Sequence, residues 1–203
     1  MQTKDRVAVL TGAGSGIGRA LANALARTGC NLALADLNSD SLAETAAQAR
    51  ALGVRVSEHP LDVSDRAAVA ALPAAVIAEH GNVEILINNA GVALGGNFDE
   101  VSTENFDWLM SINFDAVVTM CRAFLPLLKQ RPEARIVNIS SLFGLITPAG
   151  QTAYCASKFA VRGFSNALRL ELLDSNVGVT VVHPGGVATS IATSARSSEN
   201  ISE

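Results

Sequence analysis

The feature that most constrains this chain lies at its start, where a strand-like run passes through a glycine turn into a helix. Arg6 to Thr11 (RVAVLT) is apolar and β-branched, and Gly12-Ala13-Gly14-Ser15-Gly16-Ile17-Gly18 follows at once. From about Ile17 to Thr28 the pattern becomes helical, with Leu21 and Leu25 on one face. Strand, glycine turn and helix in that order are the context of a dinucleotide-binding fingerprint. Glycines allow positive φ and close approach of backbone to a pyrophosphate, while the helix N-terminus offers free amides and a favourable dipole. A turn that only packs strand on helix is the alternative, and the flanking elements weigh against it. This places Gly12, Ser15, Gly16, Ile17 and Gly18 at a cofactor.

A second strand, Asn31 to Ala35, ends at Asp36, eighteen residues beyond Gly18. A carboxylate there accepts hydrogen bonds from both adenosine ribose hydroxyls and repels a 2′-phosphate. Leu37 follows, where an arginine would have offset that repulsion. The expectation is therefore NAD rather than NADP. Arg19 points the other way, and a turn or capping role ahead of Asn38 and Ser39 is the bland reading of Asp36.

Further along, strands and helices alternate. Helices are expected over about 39–52, 65–80 (with Pro73 a weak point), 103–129 and 154–174, and strands over 54–58, 84–88, 135–140 and 177–182. Such alternation implies right-handed βαβ units and an α/β fold with a doubly wound parallel sheet. Residues 1–190 read as a single domain and 191–203 as a polar, serine-rich tail with too little apolar content to order by itself. Without a cover, the strand at 177–182 would be an open apolar edge.

Composition agrees with a globular α/β protein: 203 residues, 49% hydrophobic and 17% charged. A net charge of −4 without basic runs argues against nucleic acid as a partner. Cys30, Cys121 and Cys155 sit in apolar runs and read as small buried hydrophobes in a reduced compartment. His59, His80 and His183 show no ligand spacing, so no metal is expected. The opening MQTKDR enters a strand too soon for a signal peptide, and no apolar run approaches the roughly 18–20 residues of a membrane span, so a cytoplasmic protein is expected.

The chemistry-bearing triplet comes late: Ser141, then Tyr154, then Lys158. Tyr154 and Lys158 are four residues apart near the start of a helical pattern, hence one turn apart on one face. A phenol that ionises near pH ~10 is too weak a base at neutral pH, and a neighbouring ammonium can lower its pKa. Ser141 ends a strand-like run and could reach the same cleft.

Taken together these pieces resemble the short-chain dehydrogenase/reductase family. The resemblance covers residues 6–189 and is carried by TGAGSGIG at Thr11–Gly18, Asp62-Val63, NNAG at Asn88–Gly91, Asn113, the Ser141–Tyr154–Lys158 set and PGGVAT at Pro184–Thr189. It implies a Rossmann-fold NAD(P)-dependent oxidoreductase acting on a small carbonyl or alcohol. Tyr154 would be the general acid/base and Ser141 would hold the substrate oxygen. Lys158 would depress the phenol pKa and bind the nicotinamide ribose, and Asn113 would anchor a water in a proton relay. Asp62 and the Val63 amide would meet the adenine, and Asn89 and Gly91 would line the adenosine side. Pro184, Gly185, Val187 and Thr189 would sit by the nicotinamide. The family also implies a homodimer or homotetramer, built through the helices near 103–129 and 152–174. Its members continue past the PGGVAT region with a lid, a further strand and a closing helix, so a longer natural polypeptide or a partner covering the last strand is expected.

Residues beside the triplet, Ala93, Leu94, Leu142, Phe143, Ile146 and Pro148, are apolar, and no lysine or arginine lies in 92–96 or 142–152. That points to a neutral, fairly hydrophobic ketone or secondary alcohol. The rival readings are an NADPH-dependent 3-oxoacyl-carrier-protein-type ketoreductase and a catalytically silent dinucleotide-binding protein.

Overall fold

The computed structural model describes residues 1–186 and 196–197. Strand β1 (Val7–Thr11) is fully buried and lies inside a parallel sheet with β2 (Asn31–Asp36), β3 (Val56–Pro60), β4 (Ile85–Asn88), β6 (Ala134–Ile139) and β7 (Val177–Val182), in the order β3-β2-β1-β4-β6-β7. The order reverses at β1, which is the switch point where open α/β sheets bind ligands at their C-terminal edge. Because side chains alternate along a strand, β1 feeds both faces. Ala8 and Leu10 join one core layer with Ala22, Ala26, Leu42 and Ala46, from α1 (Gly16–Arg27) and α2 (Ser39–Arg50). Val7 and Val9 join the other, with Val69 and Val76 of α3 (Arg66–His80), Met120 and Phe124 of α5 (Ala116–Leu128), and Val161 of α6 (Thr152–Glu171).

Local chemistry sets the helix limits. Asn38 caps α2 by accepting from Ser41 N, and Asp65 caps α3 by accepting from the amides of Ala67 and Ala68. Gly81, at φ 79°, closes α3, and Pro73 sits inside that helix without ending it. The helix expected over 103–129 is not uniform. It is α4 (Thr103–Met110), a π-helical turn at Ser111–Asp115, then α5. Asn113 lies in that wider turn, where a residue of poor helix propensity is accommodated. Helices with π-turns cluster at functional sites. By length and composition alone Thr103–Leu128 could cross a membrane, at mean hydropathy 1.3, but Val117, Met120, Cys121, Phe124 and Leu128 are spent on the core.

Two short elements escape the sequence reading. β5 (Leu94–Gly95) pairs in parallel with β8 (Arg196–Ser197). Gly96 donates to the Gly150 carbonyl at 3.0 Å, just ahead of α6. The polar tail thus holds two residues in place through a partner strand, and Arg196 lies over the Trp108 ring, 3.7 Å from its centroid. Within the described residues β7 pairs only with β6, and Val182 is 37% exposed.

Candidate active site

The loops after β1, β2, β3, β4, β6 and β7 open onto one groove of about 330 Å³. Gly12, Ser15, Gly16, Ile17, Gly18, Asp36, Asp62 and Val63 line it, and so do Asn89, Gly91, Ser141, Tyr154, Lys158, Pro184 and Gly185. Val187 and Thr189 fall outside the described residues. Leu37 and Ala90 border it too, as do Leu61, Val92, Ile112, Ile139 and Ser140, positions to which sequence reasoning attached no chemistry.

The glycine turn is shaped to bring backbone close to a ligand. Gly12 holds φ 64°, and a Cβ there would lie 2.8 Å from Ala90 Cα, so no side chain fits. Asn89 locks the same turn by donating from Nδ2 to the carbonyls of Thr11 and Gly12, at 2.9 and 3.0 Å. Asn89 thus satisfies the backbone of the turn, whereas Asn88 donates to the side-chain carbonyl oxygen of buried Asn138 at 2.8 Å. The first amides of α1 have no intrahelical acceptor and border the groove at Gly16, Ile17 and Gly18. This cradle fits a phosphate-bearing group.

Asp36 combines both readings given to it. Its Oδ2 accepts from Gly14 N at 2.8 Å and its Oδ1 from Asn38 N at 2.9 Å, yet the side chain still borders the groove. Two carboxylate oxygens offer about four acceptor sites, so two remain for hydroxyl donors. Arg19 is committed elsewhere. Its guanidinium donates to the Gly14 carbonyl, to Thr45 Oγ1 at 3.0 Å and to Glu44 at 2.8 Å. Asp62 builds its own turn, accepting from Ser64 N at 2.8 Å.

At the other end, α6 and the β6 loop set the triplet. Lys158 is 3% exposed, and its Nζ donates to the Ile139 carbonyl at 3.3 Å and lies 5.5 Å from the centre of the Tyr154 ring. Burial lowers its pKa to about 8. Burial also raises the Tyr154 pKa above its ordinary value, and hydrogen bonding from Ser141 partly offsets this. The expected depression of the phenol by Lys158 is thus not the resting arrangement. The amine faces the ring and a carbonyl, while desolvation dominates at the hydroxyl. Ser141 Oγ accepts from Phe143 N at 3.1 Å, which leaves its proton free to donate.

Asn113 stands behind the groove wall and is 1% exposed. It grips Val92 from both sides, accepting from Val92 N at 2.8 Å and donating to Val92 O at 3.0 Å, and also donates to Ser157 Oγ at 3.3 Å. It therefore holds the loop after β4 against α6. Its Oδ1 and the Lys158 Nζ both lie against Gly91, 3.2 and 3.4 Å from where a Cβ would be, so a side chain there would crowd the amine.

With this geometry in view, a family model described as short chain dehydrogenase matches residues 6–200. The chain belongs to that family. Relatives of this short-chain dehydrogenase include the oxidoreductase SadH of Mycobacterium tuberculosis, 50% identical over 194 residues, covering 95% of this chain and 70% of SadH. The 2,5-dichloro-2,5-cyclohexadiene-1,4-diol dehydrogenase LinX of Sphingobium indicum is 37% identical over 186 residues, covering 92% of this chain and 74% of LinX. Among solved structures, a short-chain dehydrogenase/reductase of Burkholderia phymatum in complex with NAD superposes with a TM-score of 0.93 at 38% identity, covering 99% of this chain and 71% of that one. This short-chain dehydrogenase is thus a Rossmann-fold member of an oxidoreductase family.

Proposed function

We propose that this protein interconverts a neutral, largely apolar secondary alcohol and its ketone with NAD(H). The observation that carries the reading is the single groove lined both by the glycine turn with Asp36 and by Ser141, Tyr154 and Lys158. The nicotinamide, when bound, supplies the hydride donor or acceptor. In the reducing direction the Tyr154 phenol, which holds its proton at neutral pH, gives it to the carbonyl oxygen as the carbon gains hydride. The product is the alcohol, and in the oxidising direction the same proton returns to a Tyr154 phenolate. Ser141 donates a hydrogen bond to the reacting oxygen and fixes it by the phenol. Lys158, when charged, stabilises the phenolate left behind, and Asn113 continues a proton path from it through a water. Asp62, Val63, Asn89 and Gly91 hold the adenosine half, and Pro184, Gly185, Val187 and Thr189 the nicotinamide.

Two observations support NAD over NADP: Asp36 borders the groove, and Arg19 is tied to Glu44 and Gly14 rather than open to a 2′-phosphate. The NAD complex of the Burkholderia relative points the same way, and the diol named for LinX accords with a cyclic apolar substrate class. Leu142, Leu145 and Ile146, exposed beside Ser141, give the substrate end an apolar lip. A homo-oligomer built through the helices near 103–129 and 152–174 belongs to the same proposal, and light scattering would detect it.

Turnover of cyclohexanone and acetophenone, followed by nicotinamide absorbance, tests the reading. NADH should outperform NADPH in kcat/KM by about tenfold or more, since a carboxylate repels a phosphate set against it. Tyr154→Phe should lower kcat by about 10²–10⁴, the range for loss of a general acid, with NADH affinity within about twofold. Undiminished turnover in Tyr154→Phe would refute the assigned acid.

A further inference from the structure

The residue before Ser141 has no part in the reaction as proposed, yet it is built into the site. Ser140 is 3% exposed and its Oγ donates 2.9 Å to the backbone carbonyl of Lys158, in the middle of α6. Its backbone N–H goes to Val182 O at 2.8 Å, extending the β6–β7 pairing into the loop. Gly144 ends the short turn Leu142–Gly144 and packs directly on this bond, and a Cβ there would press on Ser140 Oγ and lie 2.9 Å from Lys158 O. Arg162, one helical turn past Lys158, donates to the Gly144 carbonyl at 3.3 Å, and Leu142 N donates to Pro184 O at 2.8 Å. Ser141 therefore sits between two points of attachment to the helix that carries Tyr154 and Lys158.

We propose that Ser140 is a positioning residue, whose bond to the Lys158 carbonyl, backed by Gly144 and Arg162, sets Ser141 at hydrogen-bonding range of the Tyr154 hydroxyl. The inference rests on the acid/base reading of Tyr154 but concerns a different group. A carbonyl inside a helix is engaged by the helical ladder, so Lys158 O gains little satisfaction from Ser140. Ser140 in turn could bond within its own loop, as serines in turns commonly do. A buried bond that neither partner needs for its own satisfaction acts chiefly on relative placement, here of β6 against α6. Ser141 donates toward the phenol only from one position, and a displacement of about 1 Å at such a site can cost up to about a hundredfold in rate.

The chain has one tyrosine, so a Cζ-labelled tyrosine gives one magnetic-resonance line that reports hydrogen bonding and ionisation of Tyr154 without any substrate. Ser140→Ala should move that line toward a phenol without a donor and raise its titration midpoint, because the Ser141 bond is what offsets burial. With NADH and cyclohexanone it should lower kcat by about ten- to a hundredfold at near-constant NADH affinity. Ser140→Cys, which keeps a weak donor of similar size, should recover part of both effects. Where Ser140→Ala does not fold, Arg162→Met decides: it should shift the line in the same direction, by less. An unmoved tyrosine line in a folded Ser140→Ala, or in Arg162→Met, overturns the proposal even if kcat falls. Active Tyr154→Phe would sink the acid/base reading instead, so the two failures are distinguishable.

Discussion

Among the described residues Glu84 and Lys158 are both almost wholly buried, at opposite ends of the parallel sheet, and they are treated in opposite ways. Glu84, at the N-terminal edge, is 1% exposed. It accepts from Val7 N at 2.9 Å and has the Arg131 and Arg6 guanidinium groups at 2.9 and 3.9 Å. The Arg131 Nε–H is not aimed at an acceptor, so that pair is Coulombic rather than hydrogen-bonded. Lys158, at the C-terminal edge, has a neutral carbonyl at 3.3 Å and no ion pair among the described residues. A buried charge whose partners are supplied belongs to the architecture. One left short of partners costs stability and marks a candidate for chemistry. The lower edge is closed by matched charge, and the upper edge is left open to receive it.

Replacing Lys158 by Met breaks the comparison most severely. Turnover should fall at least about a hundredfold, as for loss of an acid–base partner. The melting temperature should hold or rise, because an uncompensated buried charge is removed. The sign is checkable with pH. The folded-state pKa near 8 lies below the ordinary lysine value of 10.5, so the unfolded chain binds more protons between those limits. Wild-type stability should therefore climb over that window, and the climb should vanish in the variant. A melting temperature that drops steeply in Lys158→Met would show that the amine is architectural after all.

Glu84→Gln should do the reverse. Its arginine partners keep about a third of their side-chain surface in water. The penalty should therefore stay below the full cost of a broken buried pair, at about 2–3 kcal/mol. That corresponds to a melting temperature lower by about 4–12 °C, with kcat of the folded protein within about twofold. Loss of activity without loss of stability would contradict the division between the two edges.

The smallest effect concerns the outer strand β3. Ser57 Oγ lies 2.8 Å from Nε2 of both His59 and His80, the donor in each pair being set by the ring tautomer. Protonating both would set two cations against one hydroxyl, and each opposes the other. His80 Nδ1 is also buried without a partner. Burial lowers both histidine pKa values, most directly opposed by Glu79, with Arg55 further lowering that of His80. The unfolded chain thus binds protons first, and stability present above about pH 6.5 is lost on acidification. His59→Gln should reduce the fall in melting temperature between pH 7.5 and 5.5 by about 2 °C. An unchanged slope would mean that the pair does not titrate as drawn.

Much of this was legible in the residues. The strand–glycine–helix start, Asp36 at the end of β2 and the Tyr154–Lys158 spacing each carry a local physical signal, because turn conformation and helical periodicity are set within a few residues. The π-turn at Ser111–Asp115 was not legible, since a helix of the same composition can be regular, and only the grip of Asn113 on Val92 selects the wider turn. The pairing of β5 with β8 and the meeting of His59 with His80 join positions far apart in the chain, for which sequence spacing holds no information.

The sequence by itself determined the order of the βαβ units, the glycine turn and the spacing of the groups proposed for acid/base work, because backbone propensity, hydrophobic period and side-chain chemistry are local properties. Only the tertiary structure decided which charges are compensated, how Ser140 ties β6 to α6, and that desolvation outweighs the Ser141 hydrogen bond at the resting phenol. Those depend on what burial removes from water and on which distant groups replace it, and both are fixed by packing.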